Sequence, residues 1–480
     1  MISVNDLLVM LPELYLAAAA CVLLLVDAFL PDEQRDATHW LAILVMVVAG
    51  YLVVFGQPAG TATAFDGMFV RDRMSEIIDG FLLLSTALVF VMSRPYLRDR
   101  KLQIGEFYTL MIFATLGLML LVSAGNFVSL YLGLQLFALP SYALVAMNRD
   151  SKISSEAAIK LFVLSALASG LLLFGMSMIY GAAGSLDLNA IQRAAMTTAH
   201  PNLLRFGLVF LVVGIAFEFG AAPFHMWIPD VYEGASTPVV TFIASAPKLA
   251  AVAMAFRLLD SGMGPMIGDW RLMLAALAVL SLGVGNIVAI AQTNLKRMLG
   301  YSTISHMGFV FLGLAAGNAE GYAAATFYAI CYALMATAAF GVILVLARAG
   351  FECEMIDDLK GLNRRSPWFA GMMALAMFSL AGIPPLWGFI AKVMVLKAAI
   401  DTHMLWLAIV AIIAAIIGLF YYLRVIKVMY FDAPMEGAEP LHATRDVPTR
   451  WVLSANALAL LALGLFSGPL FTWCQRAFTG

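Results

Sequence analysis

Stretches of about twenty apolar residues, the length that spans the hydrocarbon core of a bilayer at 1.5 Å per residue, recur from one end of the chain to the other. Within a few residues they run from Leu7 to Leu30, Trp40 to Phe55, Ile77 to Met92, Tyr108 to Val122, Phe127 to Met147, Ala157 to Tyr180 and Leu203 to Ala222. The second half holds Val239 to Leu259, Leu272 to Ala291, Met298 to Ala316, Tyr322 to Ala347, Trp368 to Ala399 with a break, Met404 to Tyr430 and Trp451 to Phe471. A closed barrel needs alternating segments of about ten residues, whereas these are continuous and rich in Leu, Ala and Met. The pattern predicts an all-α membrane protein of about 14 transmembrane helices. The first stretch contains Glu13 and lacks a small-residue cleavage site, so it reads as a helix of the mature protein, not a secretory signal.

Composition narrows the function. Only 12% of the 480 residues are charged and 62% are hydrophobic, against about 25% charged in an average soluble domain. The 28 Lys and Arg nearly balance 30 Asp and Glu, which leaves no basic face for nucleic acid. Cys21, Cys331, Cys353 and Cys474 are far apart with no CxxC pair, so no zinc site, thiol redox motif or iron–sulfur cluster is expected, and no metal site at all. No glycine-rich nucleotide cradle follows a plausible strand. The longest connections, around Leu186 to Asn202 and Ala433 to Arg450, are too small for an active site, so redox or other soluble-substrate chemistry belongs to another polypeptide.

Cations in the connections set the orientation. Clusters such as Arg94, Arg98, Arg100 and Lys101, or Arg348, Lys360, Arg364 and Arg365, follow odd-numbered helices, while connections after even-numbered helices hold fewer, among them Arg71, Arg73, Arg193 and Arg205. Both termini are therefore expected on the side away from the cytoplasm. Two helices are interrupted by proline: the seventh runs into Ala222-Pro223-Phe-His225-Met-Trp227, and the twelfth contains Gly382-Ile-Pro384-Pro385-Leu-Trp-Gly388. Proline removes an amide donor, and broken backbone at membrane depth persists only where it lines a cavity or is buried in protein. The breaks are five helices apart, so helices 4–8 and 9–13 are expected to form two inverted five-helix repeats. The expected divisions are residues 1–104 (three helices), 105–260 and 261–432 (the repeats) and 433–480 (a last helix).

Charges inside the apolar stretches need a reason, because each costs roughly 2.5–3.5 kcal/mol at a helix centre. Lys248 lies mid-helix with no carboxylate in its own segment; it is either a proton relay or half of a static ion pair with a neighbouring helix. Lys160 follows Glu156 in the favourable i,i+4 order, so a salt bridge competes with relay there. Lys392 follows the Pro-Pro break, where a hydrated cavity favours relay. Glu218, five residues before Pro223, is either a proton carrier or a lysine partner. His225 reads equally as a loop histidine bonded to backbone. His306, beside Ser302, Thr303 and Ser305, suits a proton wire. Arg424 and Lys427 read as snorkelling anchors, and Glu13 and Asp27, at opposite ends of the first helix, read as groups with no buried role.

At these residues the chain resembles the antiporter-like, proton-translocating membrane subunits of respiratory complex I, the NADH:quinone oxidoreductase. The matching segments are Pro12-Glu13-Leu14, Leu132-Gly-Leu-Gln135-Leu, Ser155-Glu156-Ala-Ala-Ile-Lys160, Pro223-Phe-His-Met-Trp-Ile-Pro-Asp-Val-Tyr232-Glu-Gly-Ala, Ala246-Pro-Lys248, Asn294-Leu-Lys-Arg-Met-Leu-Gly-Tyr-Ser302-Thr-Ile-Ser-His306-Met-Gly and Leu380-Ala-Gly-Ile-Pro-Pro-Leu-Trp-Gly-Phe-Ile-Ala-Lys392. Length and details such as Pro229-Asp-Val-Tyr232 narrow it to a branch without a long C-terminal lateral helix. The resemblance implies proton transfer along Lys160, Lys248 and Lys392 together with Glu218, His306 and Gln135, with His225 and Glu156 as accessories. It also implies that NADH, FMN, iron–sulfur clusters and quinone bind partner subunits and none of them binds this chain. Neighbouring antiporter-like and small membrane subunits would be partners, in a bacterial inner membrane. Two positions depart from the family: Gln135 stands where a glutamate is usual and Glu218 where a lysine is usual. The resemblance therefore implies a Gln135–Glu218 pair with inverted charge logic. The competing readings are a subunit of a multisubunit cation/proton antiporter or membrane-bound hydrogenase, and a non-pumping structural subunit.

Overall fold

The computed structural model describes all residues except 1–2, 32–33, 57–59, 101, 103–104, 435–443 and 480. Lys101, counted above among the orienting cations, lies outside the described residues. Among the described residues, thirteen helices are long and apolar enough to cross a membrane in one piece. One further crossing is made in two halves, Pro367–Ala381 and Trp387–Asp401. The expected spans are thus present, with differences at their ends. The seventh stops at Phe219, and the last stops at Leu465, where a second short helix, Gly468–Phe478, turns off. A two-stranded antiparallel hairpin, Ala62–Ala64 against Phe69–Arg71, lies between the second and third spans; it is the exception to the all-α expectation.

Local sequence sets the helix ends. Asn126, Asn294 and Asn318 each place a side-chain oxygen on a first-turn amide, and Gly184, Gly220, Gly317 and Gly382 close helices in the left-handed conformation, which glycine adopts without a Cβ clash. Small residues set the close crossings. A Cβ on Gly133 would stand 2.6 Å from the backbone nitrogen of Leu121, so the fourth and fifth spans touch backbone to backbone as membrane helices with small residues do.

The most buried helix is Ala319–Leu346, whose apolar stretch is wholly covered. Thr237–Phe256 and Leu295–Ala316 are nearly as enclosed and carry Lys248 and His306. By contrast, Lys152–Ala183 exposes Ile159, Phe162 and Val163 at the periphery, as expected where lipid or another subunit covers it. Glu13 and Asp27 correct the sequence reading. Glu13 is fully buried against Arg71, and Asp27 is buried and accepts from Thr38 Oγ1 at 2.7 Å. Position near a helix end says nothing of depth once a hairpin and a neighbouring helix fold over that end. Arg424 donates to the carbonyls of Ile290 and Gln292, so it closes the end of the helix Ile267–Ile290; Lys427 pairs with Asp432.

Candidate proton-transfer site

The two helix breaks leave carbonyls without amides, and a lysine answers each. The seventh span, Pro201–Phe219, ends at Gly220 (φ +69°) and the chain resumes as helix at Trp227–Gly234. The Phe219 carbonyl faces Pro223 one turn on, which has no N–H, and the Ala222 amide is diverted to Ser281 Oγ at 3.0 Å. Lys248 Nζ, fully buried in the next span, donates to the Glu218 and Phe219 carbonyls at 3.0 and 3.1 Å and lies 4.9 Å from the Trp227 ring centre. A cation there also complements the negative end of the half-helix.

The twelfth span repeats this arrangement. Pro367–Ala381 ends at Gly382 (φ +83°). The amides that would reach Leu380 and Ala381 belong to Pro384 and Pro385, which have none. Lys392 Nζ donates to those two carbonyls at 3.0 and 2.8 Å and lies 5.2 Å from the Phe309 ring centre. Both breaks also carry the same closing bond, Ala221 N–H to the Ala216 carbonyl and Ile383 N–H to the Phe378 carbonyl.

His306 is held by hydroxyls on both sides. Its Nδ1 is 2.8 Å from Tyr328 Oη and its Nε2 is 3.0 Å from Tyr422 Oη, which also meets Ser302 Oγ. One turn away, Thr303 Oγ1 lies 2.6 Å from Tyr332 Oη and 3.5 Å from Tyr232 Oη. Of these tyrosines, Tyr232 lies in the motif Pro229-Asp-Val-Tyr232 that the sequence analysis used, while Tyr328, Tyr332 and Tyr422 were not singled out; the trace of the first two is their i,i+4 spacing.

Lys160 lies apart from this interior. It is 43% exposed and pairs with Glu156 and with Asp230, both at 2.8 Å, so the predicted i,i+4 bridge forms. Asp230 is shared with Arg297, which also reaches Glu233. His225 lines the same cleft, of about 810 Å³, with Lys160, Asp230, Arg297 and Tyr301. Gln135 and Glu218 are half-buried, and no hydrogen bond joins them among the described residues. The carboxylate of Glu218 instead acts on Lys248 through its charge. Among the described residues no group of His, Cys, Asp and Glu could hold a metal ion.

The family described as NADH:quinone oxidoreductase/Mrp antiporter, TM, matches residues 124–418. NADH-quinone oxidoreductase subunit N of Xanthomonas euvesicatoria pv. vesicatoria is 53% identical, over 100% of this chain and 98% of the relative, and that of Thioalkalivibrio sulfidiphilus is 50% identical over 99% of each. Among solved structures, a chain of respiratory complex I from Thermus thermophilus with bound aureothin superposes with a TM-score of 0.81 at 31% identity, covering 96% of this chain and 98% of that one. A chain of the Mrp complex from Dietzia sp. DQ12-45-1b shares the fold, with a TM-score of 0.81 at 20% identity over 99% of this chain and 97% of its own length. The span that matches the family holds both helix breaks, both carbonyl-bound lysines and His306, and with half-identity to these relatives over the full length the chain belongs to the NADH-quinone oxidoreductase subunit N family.

Proposed function

We propose that the chain is a proton-translocating membrane-arm subunit of an NADH:quinone oxidoreductase, and that protons pass through Lys160, Glu218, Lys248, His306 and Lys392. The observation that carries this reading is the bonding of Lys248 and Lys392 to carbonyls instead of carboxylates. A neutral amine retains two N–H donors and gains a lone pair. Either lysine can therefore give up its proton and keep both carbonyl bonds.

Electron transfer from NADH through FMN and iron–sulfur clusters to quinone belongs to partner subunits, and this chain supplies the proton step. Moving one charge against 100 mV costs about 2.3 kcal/mol, the scale of roughly two pKa units at one group. The matched breaks support two inverted units, residues 105–260 and 261–432, between an N-terminal unit of three helices and a last helix. The excess of cations after odd-numbered spans supports termini facing away from the cytoplasm of a bacterial inner membrane. His225 and Glu156 serve the peripheral Lys160 cluster, and Gln135 belongs to the same route as a neutral polar group.

The test is the proton-to-electron ratio of Lys248→Ala complex in inverted membrane vesicles. A lowered ratio with NADH oxidation retained is expected. An unchanged ratio assigns the chain a structural role instead.

A further inference from the structure

Two carboxylates and one guanidinium are sealed in the N-terminal part of the bundle, away from the lysines. Glu13 is in the first turn of Leu11–Phe29, Arg71 closes the strand Phe69–Arg71, and Asp79 lies early in Arg73–Asp99. All three are fully buried. Arg71 donates from one terminal nitrogen to Asp79 at 2.7 Å and from the other to Glu13. Each carboxylate keeps a second oxygen, Glu13 Oε2 and Asp79 Oδ1, that is buried and has no donor among the described residues.

The charges around this cluster do not supply the missing cation. Asp72 is paired with Arg257 at 2.7 Å, and half-buried Glu76 and exposed Arg73 stand on one helix with opposite signs. The packed neighbours carry their charges elsewhere. Gly105–Val122 and Asp36–Phe55 hold Glu106, Asp36 and His39 at the ends near Asp27, opposite to Glu13. Glu320, on Ala319–Leu346, is another anion and bonds Lys397, and Arg476 is exposed. Two carboxylates thus face one guanidinium, all three shut off from the protein surface, where an uncompensated charge is strongly unfavourable.

We propose that Glu13 and Asp79 share one exchangeable proton over Arg71, making this cluster a second proton-binding site of the chain. The proton comes from the aqueous phase on the hairpin side, by way of half-buried Asp72 and Glu76, binds an orphan carboxylate oxygen as O–H, and returns there. No other bond forms or breaks. The cluster is tied to the Lys248 helix, because Arg257, the residue after Phe256 of that helix, bonds Asp72 and the carbonyls of Val122 and Val70. The site does not depend on the lysine route: it would hold its proton even in a subunit that does not pump.

Infrared spectra of the intact purified complex in H₂O and D₂O, native against Glu13→Gln, Asp79→Asn and Glu13→Asp, test this. The native complex is expected to show a deuterium-sensitive carboxylic-acid C=O band that E13Q or D79N removes and that E13D, which keeps a carboxyl and assembles where the amide variants do not, displaces. Superimposable carboxylic-acid regions in the native complex and every variant that assembles overturn the proposal, since both carboxylates would then be permanently ionised.

Discussion

Lys248 and Lys392 hold the same station at two separate helix breaks: each ammonium bonds the last two carbonyls of a half-helix, immediately before a left-handed glycine. The prolines that follow, and at the first break the diversion of the Ala222 amide to Ser281, explain why those carbonyls need a side-chain donor. The same two bonds tie backbone integrity and proton exchange to one nitrogen, and substitutions can separate the two roles.

Lys248→Met and Lys392→Met leave two buried carbonyls unpaired, at about 1–3 kcal/mol each, so less assembled complex is expected in the membrane. Lys248→Arg and Lys392→Arg keep donors and charge but cannot release a proton near neutral pH. The arginine variants are expected to assemble at closer to native levels and still to show a reduced proton-to-electron ratio. Complex content and the ratio in inverted vesicles measure the two effects separately; arginine variants that pump normally would remove both lysines from the proton route.

Glu218 is the carboxylate whose charge reaches Lys248, and its side chain has no hydrogen-bond partner among the described residues. Its loss therefore removes a charge without stranding a partner, and Glu218→Gln is expected to assemble normally while proton translocation falls. Glu218→Lys places a second cation beside Lys248, and a further loss is expected, on the order of tenfold for each 1.4 kcal/mol of repulsion. Unchanged translocation in Glu218→Gln would take this carboxylate out of the path.

How much of this was legible in the sequence differs from residue to residue. The breaks were, because Pro223, Pro384 and Pro385 interrupt otherwise apolar runs. Lys248 and Lys392 were, because an ammonium in such a run is costly. Their partners were not, since the freed carbonyls belong to every residue type alike and are selected only by how the chain turns at Gly220 and Gly382. The depth of Glu13 was hidden for a different reason: its cation, Arg71, arrives on a hairpin 58 residues along the chain. The departure from Gln135–Glu218 pairing is likewise a matter of packing, which half-buried polar groups on different helices do not reveal through spacing.

Gly464 presses the final span onto the second break. A Cβ there would meet the Pro385 carbonyl oxygen and come within 2.8 Å of Leu386 C and Trp387 N. Gly464→Ala must therefore move either the last helix or the break that Lys392 holds. Destabilisation of about 1–3 kcal/mol is expected from such overpacking, read as a lower thermal midpoint of the purified complex. Gly468→Ala, with nothing within 4 Å of its Cβ, serves as the control and should leave the midpoint near native.

Among the described residues, His306 alone has both ring nitrogens against tyrosine hydroxyls, Tyr328 on one side and Tyr422 on the other. A neutral imidazole donates from one nitrogen and accepts at the other, so the Tyr–His–Tyr chain can pass a proton by reversing every hydrogen bond, with Ser302 extending it beyond Tyr422. Tyr422→Phe removes one hydroxyl and leaves His306 Nε2 and Ser302 without that partner, at about 1–3 kcal/mol for the buried group. A relay role predicts that Tyr422→Phe, Tyr328→Phe and the double variant slow proton translocation to the same extent, because breaking a single wire twice adds nothing. A packing role predicts instead that the two losses add, in stability and in rate alike. The double-mutant cycle on proton translocation rate, with thermal midpoints measured on the same preparations, separates them; additive losses in both would make the tyrosines packing residues and leave His306 outside the route.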